Sequence, residues 1–105
     1  MKPTHLFAEQ ASGTTVDLSI DEAVTILLEE NPTTGFQWRI ESSGTPTLSL
    51  LAEHFHPDSG RPGGGGTHEW HFRAVARGQV SIKMTYRRRG GAAAREFILV
   101  VRASG

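Results

Sequence analysis

The amino-acid sequence predicts an all-β protein built as an antiparallel sandwich of about seven short strands. Apolar and polar residues alternate along six segments, and this period places every second side chain on one face of a strand. Clusters of Gly, Pro, Asn, Asp and Ser separate the segments at a spacing typical of sandwiches. The chain has 105 residues, so we predict a single domain over residues 1–105 with one modest core.

Each predicted strand follows from its own run of alternating residues. The alternating segments cover residues 15–20, 24–29, 36–41, 69–74, 80–86 and 96–101. Residues 47–52 form a shorter candidate strand. The inward phase of these strands carries the large aromatic side chains, which we predict to form the core: Trp38, Trp70, Phe72, Tyr86 and Phe97.

Residues 21–30 have an alternative interpretation as a helix. Asp21 is a plausible N-cap, and apolar residues at positions 24, 27 and 28 would suit a helical stripe. The β-branched run from Val24 to Ile26, followed by Pro32, favours a strand. We therefore predict a strand here and keep the helix as the alternative.

Composition excludes several classes of protein. The sequence contains no cysteine, which rules out disulfides, thiolate metal sites and thiol nucleophiles. No apolar run approaches the roughly 18–20 residues needed to cross a bilayer, so we predict no membrane partner. The start lacks the apolar core of a signal peptide, which predicts a cytoplasmic protein if Met1 is the native start and a periplasmic or secreted one if a signal peptide has been removed.

The zero net charge conceals two unlike regions. Residues 1–60 contain two basic and nine acidic residues, whereas residues 61–105 contain nine basic and two acidic ones. Interleaved strands should mix most of these charges in space. We expect a basic loop end formed by Arg87, Arg88 and Arg89, with Arg95 and Arg61 nearby.

The first of three notable loops, called here the first loop, contains a Pro, two Thr and a Gly in a row. Pro32 fixes its own φ, the two hydroxyl-bearing residues are stiff at χ1, and Gly35 can adopt a positive φ. A loop of this kind is rigid before it binds anything, which suits a polar cleft. An ordinary turn between strands is the alternative. The loop comprises Asn31, Pro32, Thr33, Thr34, Gly35 and Phe36.

The second loop, called here the glycine loop, spans residues 56–67. Its four consecutive glycines, without Cβ atoms, would let another backbone approach and exchange main-chain hydrogen bonds with it. The glycines are Gly63, Gly64, Gly65 and Gly66. A phosphate site lacks support, since a strand and not a helix follows. A disordered loop remains an alternative.

The third loop, called here the arginine loop, spans residues 87–95 and begins with Arg87, Arg88, Arg89 and Gly90. Three arginines could serve an acidic protein surface, a nucleic-acid phosphate or an anionic membrane. Tyr86 is the only nearby aromatic and falls on the inward phase, so stacking on bases is not supported and we predict no nucleic-acid partner. A solvated charge run is the alternative without function.

Taken in order and at this spacing, the motifs resemble those of the chagasin family. They are the Asn-Pro-Thr-Thr-Gly-Phe run of the first loop with Trp38 two residues on, Gly63-x-Gly65-Gly66-Thr67 before an aromatic strand, and Tyr86 before a basic turn. The resemblance spans roughly residues 15–102. Members of this family are protein inhibitors of papain-family cysteine peptidases and do no chemistry themselves.

The resemblance implies an immunoglobulin-like β-sandwich of about seven to eight strands whose three loops form a wedge at one end. It implies that the first loop, through Thr33 and Thr34, sits over the catalytic cysteine of the peptidase. It implies that the glycine loop lies along the non-primed side with strand-like hydrogen bonds. The expected partner is a papain-family cysteine peptidase, bound reversibly and without cleavage, and the free inhibitor is expected to be a monomer that needs no cofactor.

The arginine loop departs from the family pattern. Relatives carry Arg-Pro-Trp, with the Trp packing on the primed side of the peptidase, where this chain has Arg88, Arg89 and Gly90. Loss of an aromatic anchor commonly costs about 2 kcal/mol, or roughly 30-fold in affinity. Alternatively, the arginines engage an acidic primed side. A rival hypothesis is an interaction module that binds an acidic partner through this loop and no longer inhibits.

Metal binding and catalysis have weaker support. His54, His56 and Asp58 share one strand phase, but the remaining histidines offer no recognisable ligand spacing. Ser59 lacks the strand-to-helix turn of a nucleophile, and Glu29 and Glu30 point to opposite faces of their strand. We therefore predict neither a metal site nor an enzyme.

Overall fold

A computed structural model describes residues 4–58 and 64–105 and contains two four-stranded sheets. The eight strands are β1 (Thr4–Phe7), β2 (Thr14–Ser19), β3 (Ala23–Glu30), β4 (Gln37–Ser43), β5 (Leu48–Pro57), β6 (Gly66–Ala74), β7 (Gly78–Arg87) and β8 (Arg95–Ser104). Short 3-10 helices occupy Glu9–Ala11 and Pro32–Thr34. The strand order is β1-β3-β6-β5 in the first sheet and β2-β8-β7-β4 in the second. The all-β sandwich predicted from alternation is confirmed.

The two sheets pack face to face through the side chains on the inward phase. Trp70, Phe72 and Phe97 are at most 1% exposed, and Trp38 is 5% exposed. Tyr86 is partly buried and packs against the edge of this cluster. The aromatic core is therefore the one predicted, because a period of two assigns each side chain to a face whatever its strand later pairs with.

Residues 21–30 form a turn and a strand, so the helical alternative is wrong. Val24, Ile26 and Leu28 of β3 are buried on the inward face. Asp21 has a φ of 76° in the tight turn before β3. The Glu22 carboxylate accepts a hydrogen bond from the backbone N–H of Ser19 at 2.6 Å and closes that turn. Burial between the sheets decides the conformation against the weak helical stripe.

Three features of the sheets differ from the prediction. The short strand β1 was not predicted, and β5 extends from the predicted 47–52 segment to Pro57. β1 pairs with β3, and β2 with β8, in parallel, so the sheets are not purely antiparallel. Between β1 and β3 the chain crosses to the other sheet to form β2, and a strand that returns after such a crossover can pair in parallel.

Among residues 4–58 and 64–105, no helix has the length and apolar character needed to span a membrane. The two 3-10 helices have three residues each.

The outer face of the first sheet carries a carboxylate between two histidines. The Oε1 atom of Glu69 lies 2.9 Å from His56 Nε2, and its Oε2 atom is hydrogen-bonded to His71 Nε2. The pKa of Glu69 is lowered from 4.5, chiefly by the hydrogen bond from His71 and also by that from His56, while burial acts in the opposite direction. These contacts favour the ionised carboxylate in the folded state.

This lowered pKa predicts how acid affects stability. A carboxyl whose folded pKa lies below its unfolded one contributes stability above the unfolded value, and this stability disappears as the pH falls through the folded pKa. The free energy of unfolding of the Glu69→Gln variant, measured with urea, should therefore fall less than that of the parent as the pH is lowered from about 6 to about 3. Glu96→Gln, at an exposed position of β8, is the control. Parallel stability curves for E69Q and the parent would contradict the prediction.

Candidate functional site

Three loops meet at one end of the sandwich. In the first sheet, Gly66 at the start of β6 pairs with both Glu30 and Pro57. In the second sheet, Tyr86 near the end of β7 pairs with both Trp38 and Arg95. The first loop, the glycine loop and the arginine loop leave from these positions, so their predicted gathering at one end is confirmed.

The first loop is a 3-10 turn closed by its own polar side chains. The Asn31 side-chain carbonyl accepts from the Thr33 backbone N–H at 3.2 Å and from the Thr33 hydroxyl at 2.6 Å. The Thr34 hydroxyl donates to the Asn31 carbonyl at 2.7 Å. Pro32 begins the turn, and Gly35 ends it with a φ of 85°. Proline and glycine have the geometric roles predicted, whereas the capping role of Asn31 was not predicted.

Tyr86 anchors this loop to the second sheet. Its hydroxyl accepts a hydrogen bond from the Asn31 backbone N–H at 2.9 Å. Its ring stacks on Phe36 with centroids 5.4 Å apart and lies 5.1 Å from the Trp38 ring. The sequence predicted Tyr86 only as a core residue. Its hydroxyl reaches the loop because the ring lies at the rim of the core, where one end is apolar and the other polar.

Gly65 and Gly66 allow the glycine loop to lie against neighbouring backbone. A Cβ atom at Gly65 would lie 2.6 Å from the Glu30 carbonyl oxygen and 3.3 Å from the Asn31 Cα. A Cβ atom at Gly66 would collide with the His56 carbonyl oxygen. The glycines were predicted to admit a partner's backbone, but these two are already required by contacts within the chain. Gly63 lies outside the described residues, and Gly64 is half-buried.

The arginine loop turns at Gly90, which has a φ of 73°. Arg88 leans back over the first loop: its Nε donates to the Thr34 carbonyl at 3.2 Å, and its guanidinium lies 4.7 Å from the Phe36 ring centroid. Arg89 is exposed and has no hydrogen bond or ion pair with the described part of the chain. Arg88 thus supports the first loop, while Arg89 points its charge to solvent.

The prediction that arginines make this loop end basic is wrong for Arg87 and Arg95, because each is paired with a carboxylate. Arg87 pairs with Glu41 at 3.3 Å, and Arg95 pairs with Glu9 at 2.9 Å. Both acidic partners come from the negative part of the sequence and become neighbours only on folding. Arg61 lies outside the described residues. The basic character of this end therefore depends on Arg88 and Arg89.

A polar groove of about 270 Å³ runs between the first loop and the glycine loop. The first loop contributes Asn31 to its lining, and the glycine loop contributes Asp58, Gly65, Gly66 and Thr67. The remaining lining residues are Glu29, Glu30, Tyr86 and Arg95. Across residues 4–58 and 64–105, no group of three or more His, Asp or Glu side chains is placed to hold a metal ion. Of the predicted site residues, Asn31, Gly65 and Gly66 line this polar groove.

Comparisons with known proteins agree with this arrangement. Residues 17–101 match the sequence model of the Chagasin family peptidase inhibitor I42. Chagasin of Trypanosoma cruzi is 34% identical over 90 residues, which cover 81% of this chain and 82% of that protein. Amoebiasin-2 of Entamoeba histolytica is 32% identical over 88 residues, which cover 80% of this chain and 70% of that protein.

A solved structure shows the same architecture. The crystal structure of a cysteine protease inhibitor from Entamoeba histolytica has a TM-score of 0.88 to this chain at 27% sequence identity. The match covers 98% of this chain and 97% of the other. Fold and loop site thus define a β-sandwich inhibitor protein and not an enzyme. The chain belongs to the chagasin family of peptidase inhibitors, as the resemblance indicated.

The contact between Tyr86 and Asn31 predicts a local effect of Tyr86→Phe. The variant keeps the stacked ring and removes the hydroxyl acceptor, so it should destabilise the fold by about 1 kcal/mol and increase amide exchange in the first loop. Urea unfolding and hydrogen exchange measure the two effects. Ser42→Ala is the control, because it removes an exposed hydrogen bond to the Ser81 carbonyl. Equal first-loop exchange in Y86F and S42A would contradict the anchoring role.

Proposed function

We propose that this chain inhibits papain-like cysteine peptidases reversibly by inserting its three-loop end into the active-site cleft. The observation that carries the proposal is the closed first loop, in which Thr33 and Thr34 are exposed at the tip of a turn held by hydrogen bonds to Asn31. A pre-formed loop loses little conformational entropy when it binds. The family assignment supplies the class of target.

The same turn accounts for binding without cleavage. A bound substrate segment is extended, whereas Pro32–Thr34 forms a 3-10 helix that ends at Gly35 with a positive φ. Opening this turn would break the hydrogen bonds that Asn31 accepts from Thr33 and Thr34. We therefore assign the first loop to the region of the catalytic cysteine, presented in a form that resists attack.

We assign the glycine loop to the non-primed side of the cleft. Gly64 and Gly65 lie outside the strands and lead into Gly66, the first residue of the central strand β6, so this segment extends beyond the end of the sheet. An extended segment of this kind can exchange main-chain hydrogen bonds with a partner strand. Gly63, assigned to the same contact by the family motif, lies outside the described residues.

We assign the arginine loop to the primed side, where it contributes charge in place of an aromatic anchor. Gly90 offers no side chain, and Arg89 projects to solvent. The rival function, a non-inhibitory module that binds an acidic partner through three arginines, loses support because Arg87 is paired with Glu41. Arg88 lies against the first loop, and Arg89 alone extends to solvent, which is better suited to adjusting an interface than to forming one.

Inhibition should depend on the tip of the first loop. Thr34→Arg should raise the inhibition constant by at least about 30-fold. A long charged side chain at this position does not fit a cleft complementary to Thr34, so it would push the first loop out of the cleft. The loss of the Thr34 hydroxyl contacts should cost only about 1 kcal/mol of folding stability. Steady-state inhibition of several papain-like peptidases and thermal melts measure the two effects.

Gln79→Arg is the matched control, since it adds the same charge at an exposed position near the opposite end of β7. If the parent inhibits no papain-like peptidase at tens of micromolar protein, the proposed function is wrong, because weaker binding would not make the protein an inhibitor. If T34R unfolds the protein, the loop is structural and the assignment of its tip fails.

Arg89 should affect the rate of association more than that of dissociation. Charge reversal in Arg89→Glu should slow association with an acidic cleft rim by roughly threefold to tenfold at low ionic strength, and salt should reduce the difference. Arg77→Glu, an exposed reversal in the β6–β7 connection, is the control. Stopped-flow kinetics measure the association rates. Equal rates for R89E and R77E would show that Arg89 is not part of the binding surface.

A further inference from the structure

Glu30 and His68 form a contact beneath the first loop and the glycine loop. The side chains are 6% and 12% exposed, respectively. One carboxylate oxygen of Glu30 accepts from the Trp38 backbone N–H at 2.8 Å and lies 3.1 Å from His68 Nδ1. The carboxylate therefore joins the end of β3 to β4 in the opposite sheet and to β6 in its own sheet.

His68 has a carboxylate at each ring nitrogen. Its Nε2 lies 2.6 Å from Glu53 Oε2 on β5, on the other side of the ring from Glu30. A neutral imidazole carries one N–H and can donate to only one of these groups, whereas the doubly protonated ring donates to both. The ring also stacks on Trp70 with centroids 3.9 Å apart and planes 5° apart, which favours a positive charge.

The charged surroundings of this contact come from several strands. Glu30 on β3 and Glu53 on β5 face His68 directly. The Phe55 ring approaches it edge-on at 6.2 Å. Beyond Glu53 a groove is lined by residues of β4 and β7, among them Arg39, Glu41 and Arg87. Of these charged groups, Glu30 and Glu53 contact the imidazole directly, and Arg87 is paired with Glu41.

Each partner in this contact lies next to a loop end. Glu30 immediately precedes the first loop, and Trp38 follows that loop by two residues. His68 follows Gly66 by two residues, and Gly66 is the register partner of Glu30. A shift of the carboxylate would therefore move both ends of the first loop relative to the glycine loop.

We propose that Glu30 and His68 are positioning residues that hold the first loop in register with the glycine loop, and that His68 does so best when doubly protonated. The consequence for inhibition rests on the proposed function. Inhibition then depends on pH through the inhibitor itself, and it weakens as the imidazole loses its second proton.

The experiment compares Glu30→Gln, His68→Gln and the double variant with the parent. His71→Gln is the matched control, because His71 lies on the same strand and its ring contacts Glu69 and Thr25, neither of which belongs to the first loop. Hydrogen exchange of the free proteins reports on the Trp38 amide and the first loop. Inhibition constants at about pH 5.5 and about pH 8 span the range in which imidazoles titrate.

The proposal predicts that H68Q speeds first-loop exchange and raises the inhibition constant by roughly tenfold at the acidic pH, with a smaller difference at pH 8. Because the two residues act as a pair, the double variant should be no worse than the poorer single variant. H71Q should change neither loop exchange nor the pH profile.

Two results would overturn the proposal: H68Q behaving like H71Q in loop exchange, or additive effects of E30Q and H68Q. If E30Q fails to fold, comparing first-loop exchange in H68Q with that in H71Q still tests the proposal. If the parent inhibits no peptidase, the proposed function fails by itself, while exchange in the free proteins still tests whether the pair positions the loops.

Discussion

The end of β3 joins the two sheets, and the shape of the loop end depends on that junction. The Glu29 carbonyl accepts hydrogen bonds from the Trp38 indole at 2.8 Å and from the Arg95 guanidinium at 2.9 Å. The Arg95 guanidinium also lies 4.4 Å from the Tyr86 ring centroid. These donors belong to the second sheet and their acceptor to the first. All three loops therefore leave from a framework whose two halves are held together beside them.

The unequal charges of the two parts of the sequence become complementary when the strands pair. Three arginines from the positive part each meet a carboxylate from the negative part: Arg87 with Glu41, Arg95 with Glu9 and Arg102 with Asp17. Exposed pairs of this kind contribute little stability each. Two of the pairs, Arg87 with Glu41 and Arg95 with Glu9, lie at the loop end, where they neutralise charges and leave Arg88 and Arg89 to define its basic character.

In the proposed mode of inhibition, the loop end acts by shape and preorganisation. Hydrogen bonds within the first loop fix its turn before a partner arrives, and the absence of a Cβ at Gly65 lets the glycine loop lie against Asn31. Both features reduce the entropy lost on binding. The proposed coupling through Glu30 and His68 extends this principle, since it would place the two loops relative to each other as well as internally.

The sequence by itself determined the strand faces, the aromatic core and the chemistry of the first loop. These follow from a period of two and from the backbone limits of Pro32 and Gly35, which are local properties. Only the tertiary structure decided the parallel pairing of β1, the contact of the Tyr86 hydroxyl with the first loop and the pairing of His68 with two carboxylates. Each of these depends on residues far apart in the chain becoming neighbours, and no local pattern records which distant side chain will lie within hydrogen-bond distance.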